Sequence, residues 1–315
     1  MIPPRWSQSS GPRRWGYRVL GSGFSYLLHL RFAEWPIMAA HTAVGYLLAV
    51  GLSGAAHGEL LGQALLGLAL WVVCLNGGTL ALNSAFDKDE GDIGYLRQPP
   101  PPPRALAGFG LGLMALGQAA ALLLPMPYAW AYAACFLLSV VYSVPPFRLK
   151  AVAGPDWLIN MWGFGTLTPF AGWASTGLPV SPSGFLVLLA FCPLFAALYP
   201  LTQLYQFDED RRRGDRTLAL KLGMRVSLNV AIGATLVAFA LFAWGGIKAG
   251  WGPGRADLLR WLALGVALLV WAGVVLPWRI RFREMTAEQH QRGMYRGLAA
   301  WAVTDIVVVL AFGTN

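Results

Sequence analysis

Nine apolar runs, each about 20 residues long, restrict this sequence more than any other feature. They cover 33–54, 60–84, 105–124, 127–144, 156–177, 184–206, 225–247, 256–277 and 292–313. A run of that length crosses the hydrocarbon core of a bilayer as a helix, which satisfies its backbone polar groups internally. Charged residues make up 12% of the chain, against about 25% in soluble domains. The expectation is an all-α, polytopic membrane protein with nine transmembrane helices bundled around a central cavity, residues 33–315 forming one domain. Only residues 125–126 separate the third and fourth runs, so those two helices form a hairpin with Pro125 at the turn. Residues 1–32 are a basic arm in which Trp15, Tyr17, Leu20, Phe24 and Leu27 alternate with arginines. That pattern suits an interfacial helix or a disordered arm; no small-residue cleavage site marks a signal peptide.

Orientation follows from the cations. Of 24 Lys and Arg, 21 lie in the arm or in and around the loops after the second, fourth, sixth and eighth runs. Only Lys248, Arg255 and Arg260 fall on the other side. The positive-inside rule then puts the N-terminus and those loops in the cytoplasm of a multi-pass protein of the cell's inner membrane. The formal charge of +9 is thus mostly topology and attraction to anionic head groups. Nucleic acid is not an expected partner, because no basic soluble domain is present. Cys74, Cys135 and Cys192 sit in separate runs with no CxxC or Cys/His cluster, and read as small buried hydrophobes.

Eight of the 15 acidic residues gather in two clusters, both at cytoplasmic ends. Asp87, Asp89, Glu90 and Asp92 follow the second run; Asp208, Glu209, Asp210 and Asp215 follow the sixth. At helical spacing, Asn76, Thr79, Asn83, Asp87 and Glu90 share one face, as do Tyr199, Gln203, Gln206 and Asp210. Polar groups at membrane depth are costly unless they face a cavity or a partner. Close carboxylates repel, so each cluster needs a cation, and oxygen-only ligands favour a hard one such as Mg²⁺. Around them the same loops hold Arg97, Arg104, Arg148, Lys150, Arg211, Arg212, Arg213 and Arg216. Arginine suits bidentate contact with phosphate oxygens. Metal-binding acids, a basic rim and an apolar interior together fit a lipid diphosphate, its head at the surface and its tail among the helices.

At these residues the chain resembles the UbiA superfamily of intramembrane prenyltransferases, over about 33–313. Asn83 and Asp87 match the family's Asn-x-x-x-Asp-x-x-x-Asp motif. "YSVPPFRLK" (142–150) is similar to its Tyr-Ser-x-Pro-Pro…Lys segment, and "DRRRGDRTLALKLG" (210–223) to the end of its Asp-x-x-x-Asp motif. The match departs at two places: Gly91 stands at the third position of the first motif, between Glu90 and Asp92, and Gln206 replaces the first Asp of the second. The resemblance implies Mg²⁺-dependent ionisation of an allylic prenyl diphosphate, with transfer of the prenyl group to an aromatic or other lipophilic acceptor. It implies Asn83, Asp87 and Asp210 as catalytic residues, with Glu90, Asp92 and Gln206 as further metal ligands. Arg97, Arg148, Lys150, Arg213 and Arg216 would bind the diphosphate. Asn76, Thr79, Tyr142, Trp162, Phe164, Phe170, Tyr199 and Gln203 would line the prenyl and acceptor pocket, aromatic faces stabilising a carbocation. Asp156 reads as an N-cap of the fifth helix, His41 as a helix–helix contact, and Asp305 as a structural hydrogen bond or an acceptor-side group. The pentaproline 99–103 is a stiff lid or a spacer.

Other readings remain open. A terpene cyclase of the same superfamily would capture the cation with the substrate's own alkene, and a phosphoribosyl-type transferase would use a sugar diphosphate. A transporter or lipid-binding protein without chemistry would carry its polar sites near the midplane. A CDP-alcohol phosphotransferase would carry Asp-Gly-x-x-Ala-Arg, which is not found.

Overall fold

A computed structural model describes residues 11–56, 58–87, 93 and 95–314. The basic arm begins with α1 (Gly11–Leu20) and α2 (Phe24–Leu28). Then follow α3 (Trp35–Gly54), α4 (Gly58–Ala69) and α5 (Gly77–Asp87), the last two joined by a π-helical segment, Leu70–Asn76. Next come α6 (Leu106–Ala121), α7 (Met126–Ser143), α8 (Pro155–Asn160) and α9 (Thr168–Ala174), with Met161–Leu167 a second π segment between α8 and α9. The chain ends with α10 (Pro182–Gln203), α11 (Phe207–Arg213), α12 (Leu218–Lys248), α13 (Arg255–Arg281) and α14 (Ala287–Phe312).

Among the described residues, seven helices are long and apolar enough to cross a membrane: Phe32–Gly54, Gly58–Asp87, Met126–Ser143, Pro182–Gln206, Leu218–Lys248, Arg255–Arg281 and Ala287–Phe312. The third expected span is shorter, the 16-residue α6, and the fifth is interrupted by its π segment. Pro125 does sit ahead of α7, as N-cap, with Pro127 in the first turn, where a missing N–H costs nothing. Ser181, Thr217 and Thr286 cap α10, α12 and α14 with their side chains.

The helices pack as two groups with separate apolar cores. One core joins α3, the α4–α5 rod, α6, α7 and α9 around Trp71, Met114, Tyr128 and Tyr132. The other joins α10, α12, α13 and α14 around Phe191, Leu194, Phe242 and Trp271. Side chains are replaced by bare backbone where α3 crosses α9: a Cβ on Gly45 would lie 1.6 Å from Pro169 O, and one on Gly172 1.8 Å from Thr42 O. Those two glycines let the helices touch.

The interruptions have partners. Pro200, inside α10, cannot donate to Ala196 O, and the Trp157 indole on α8 does so instead at 2.9 Å. In the second π segment, Gly165 O lies 3.2 Å from His41 Nε2, whose Nδ1 is 3.0 Å from Asp305 Oδ1. His41 is the helix–helix contact expected, and it ties α3, the π segment and α14 together.

The arm is docked. Leu30, Ala81 and Leu106 form a small third core beneath it. Arg13 donates to the carbonyls of Arg97 (3.1 Å) and Gln98 (2.8 Å), and His29 Nε2 lies 3.1 Å from Pro100 O. Arg31 reaches Ser84 Oγ on α5 at 3.0 Å. The proline-rich loop is held by its backbone, at the same end of the bundle as Asp87.

Candidate active site

The two acidic ends meet over a third element, the loop between α7 and α8. Asp87 closes α5, and its Oδ1 contacts Lys150 Nζ and lies 3.6 Å from Arg148 Nη2. Arg148 Nη1 donates to Asp215 Oδ1 at 2.8 Å. One guanidinium therefore stands between a carboxylate from the first cluster and one from the second. Arg148 holds a left-handed backbone (φ 37, ψ 52), uncommon for a side chain that is not glycine. It is fixed there by its own neighbours: its N–H donates to Val144 O and its carbonyl accepts from Ala151, each at 3.0 Å.

Two further ties bind that loop to the end of the α10–α11 segment. Arg216 N donates to Ala151 O at 3.1 Å, within an isolated Val152–Arg216 bridge. Asp156 is fully buried; one oxygen accepts from Gly154 N (2.8 Å) and the other from Leu218 N, the start of α12 (2.9 Å). The capping role expected for Asp156 is thus half of what it does, since it also clamps two loops distant in sequence. The Trp157 backbone N–H and the Gln203 side chain are further donors to it.

Asp210 is buried, its carboxylate 3.5 Å from Thr217 Oγ1 and its carbonyl accepting from Asp215 N at 3.0 Å. Gln206 sits ahead of α11, and its Nε2 donates to Tyr205 Oη at 2.9 Å. Asn83 accepts from Ser143 Oγ, and Thr79 Oγ1 lies 2.8 Å from Ser139 Oγ. The polar stripe of α5 therefore lies against α7. Tyr142 and Tyr199 join hydroxyls at 3.0 Å, and Phe164, Phe195 and Tyr199 stack in sequence, centroids 5.3 and 6.3 Å apart. Two buried polar atoms in this region lack a partner: Asn76 Nδ2 and Gln203 Oε1.

Other expected residues stand elsewhere. Trp162 is 44% exposed, and Phe170 packs on the core of the α3–α7 group. Arg97 and Arg216 expose their side chains and contribute backbone contacts. Glu90, Asp92 and the Arg213 side chain lie outside the described residues. Asp215, Asp156, Ser139, Ser143 and Asn160 were not among the expected site residues. For Asp215 a signal exists: "RRRGD" places a glycine just past a helix end, and Gly214 is left-handed (φ 75, ψ 14), which turns Asp215 back over α11.

The donors around Arg148 and Lys150 are oxygens alone, and the carboxylates already draw positive charge between them. Among the described residues no three acidic, histidine or cysteine side chains converge closely enough to hold an ion by themselves. Such a set fits a hard divalent cation when oxygens of a bound phosphate complete its shell.

The model of the UbiA prenyltransferase family matches residues 39–299. The chain belongs to this family. Among solved structures, this UbiA family member is similar to a UbiA homolog from Archaeoglobus fulgidus bound to DMAPP and Mg²⁺, with 18% identity and a TM-score of 0.63 over 89% of this chain and 98% of that one. A GPP- and Mg²⁺-bound form of that homolog gives 18% identity and 0.63 over 90% and 99%. A digeranylgeranylglyceryl phosphate synthase gives 14% identity and 0.67 over 92% and 98%. At such identities the likeness is one of fold. No curated protein matches the chain in sequence.

Proposed function

We propose that this UbiA family member is a Mg²⁺-dependent intramembrane prenyltransferase, which ionises an allylic prenyl diphosphate and transfers the prenyl group to an aromatic or other lipophilic acceptor. The observation that carries the reading is the Arg148 guanidinium, which faces Asp87 from one acidic cluster and Asp215 from the other. The fold likeness to homologs whose structures hold DMAPP or GPP with Mg²⁺ supports it.

In this reading α6 and the interrupted α8–α9 rod complete nine spans, and the N-terminus and the acidic end face the cytoplasm, in accord with the distribution of cations. Asn83, Asp87 and Asp210 would hold Mg²⁺, with Glu90, Asp92 and Gln206 as further candidates; when bound, the ion adds positive charge to the departing diphosphate. Lys150 and Arg148 take phosphate oxygens, with Arg97, Arg213 and Arg216 at the rim. Cations placed before the bond breaks stabilise charge as it develops, at no cost of reorganisation during the step. The prenyl cation left behind meets the faces of Tyr142, Phe164 and Tyr199, while the surrounding apolar helices keep water from capturing it. Asn76, Thr79, Gln203, Trp162 and Phe170 are the remaining candidates for pocket contacts. The acceptor attacks the cation and then gives up a proton.

The test is incubation of the purified protein with allylic diphosphates of several chain lengths, with and without a lipid extract. Prenylated lipid that forms only with the extract is the expected product. Cyclic hydrocarbon or alcohol made without acceptor would replace transfer by cyclisation. Release of diphosphate by Asp87→Ala or Asp210→Ala at the wild-type rate would refute the site.

A further inference from the structure

Gln206 occupies the position at which the second motif should carry its first carboxylate, yet the structure leaves that side of the site with two carboxylates. Gln206 spends its amide donor on Tyr205. Asp215 lies nine positions further on, past the end of α11, and Gly214 turns it back. Its N–H is fixed on Asp210 O at 3.0 Å, and its side chain is only 12% exposed. Its Oδ1 is 2.8 Å from Arg148 Nη1, while Nη2 of the same group is 3.6 Å from Asp87 Oδ1. The fork of a guanidinium is short and rigid, so the carboxylates of Asp87 and Asp215 face each other across one cation, less than about 9 Å apart.

We propose that Asp215 is a second metal-binding carboxylate of the α11 side, supplying beside Asp210 the negative charge that Gln206 does not. The assignment rests on the diphosphate site argued above and adds a residue to it. Three points of chemistry carry it. The Asp215 carboxylate is largely enclosed, and the Arg148 guanidinium is the cation set directly against it at 2.8 Å. Mg²⁺ uses one or two carboxylates and takes its other ligands from substrate phosphate and water, so one carboxylate on each side of a diphosphate is enough. The amide of Gln206 is neutral and engaged, whereas Asp215 brings a full charge opposite Asp87. Arg148, shared by the two acids, is then free to turn from carboxylate to phosphate as the site fills.

The experiment uses the full chain in nanodiscs, with inorganic pyrophosphate present, and reads Mn²⁺ binding by electron paramagnetic resonance. Asp215→Asn should weaken Mn²⁺ binding by at least about 10-fold, a loss that even an outer-shell partner of a metal ligand produces. Gln206→Asp added to Asp215→Asn should restore much of it, since a carboxylate returns to the same side. Thermal stability is measured in parallel without metal. Wild-type Mn²⁺ binding by Asp215→Asn overturns the assignment. So does a loss that Gln206→Asp leaves unrestored and a fall in stability matches, because Asp215 would then serve only to hold Arg148. Asp87→Asn is the separate control: wild-type Mn²⁺ binding in that variant sinks the whole diphosphate site, whereas the same result in Asp215→Asn alone removes only this residue.

Discussion

Lys150 and Asp156 show how differently two charged side chains in one loop act. Lys150 touches Asp87 directly, and the proposed function assigns it a phosphate oxygen. Lys150→Met should lower turnover about 100-fold through loss of preorganised charge, and steady-state kinetics on folded protein checks this. Asp156 touches no substrate position but accepts backbone N–H groups from Gly154 and Leu218, one on each oxygen. Asparagine keeps a single acceptor oxygen. Asp156→Asn therefore leaves one buried N–H without a partner and should cost about 1–3 kcal/mol of stability, read as a lowered denaturation midpoint in detergent. At this scale the sequence was only partly legible. Asp87 and Asp210 stand out as acids in a chain with few. Arg148 reads as a phosphate ligand and Asp215 as one acid of the second cluster, but their pairing is not legible because it spans 67 positions.

At the scale of elements, the arm and the broken helices differ from plain rods. His29 is wholly buried, with its Nε2 against Pro100 O. Burial first, then the nearby Arg31 and Arg13 charges, hold its pKa down at about 4, against an ordinary 6.5, while its bond to Pro100 opposes the shift. Above about 6.5 the imidazole is neutral whether or not the arm is docked, so docking is unaffected there. Between about 6.5 and 4 only the released histidine takes a proton, so docking weakens as pH falls across that window. Hydrogen-exchange protection at the amides of 95–98 and 104, corrected for the intrinsic pH dependence of exchange, should fall from pH 7 to pH 5 in the wild type and stay level in His29→Gln, which can still donate. The His41–Asp305 pair is a second tie between elements. Loss of one partner strands the other in the bundle, while removal of both does not. His41→Phe/Asp305→Leu should thus unfold later than either single variant; thermal denaturation of the three decides it. Apolar run lengths forecast the rods well. The π segments were not legible; in the second, the partner of Gly165 O is His41, 124 positions away in the chain.

The whole molecule is two helical groups, each with its own core, whose loops meet at one end. Arg148 and Lys150, in the loop between α7 and α8, lie where Asp87 of one group comes within reach of Asp215 beside the other, so a ligand bound there would draw on both. Chelation with EDTA should stop turnover and Mg²⁺ should restore it; activity that survives EDTA would remove the metal from the reaction. The family was legible because the residues that match its motifs sit together at helix ends. The fit of the arm was not, since it depends on a loop folding back across 71 positions to His29.

Among the described residues, that grip on the proline tract uses main-chain oxygens of Arg97, Gln98 and Pro100. A carbonyl oxygen is the same for every residue, so these three bonds do not read side-chain identity. An exposed member such as Pro101 can therefore be exchanged, by drift or by design, for a residue that keeps the local trace, and the arm will still find its handholds.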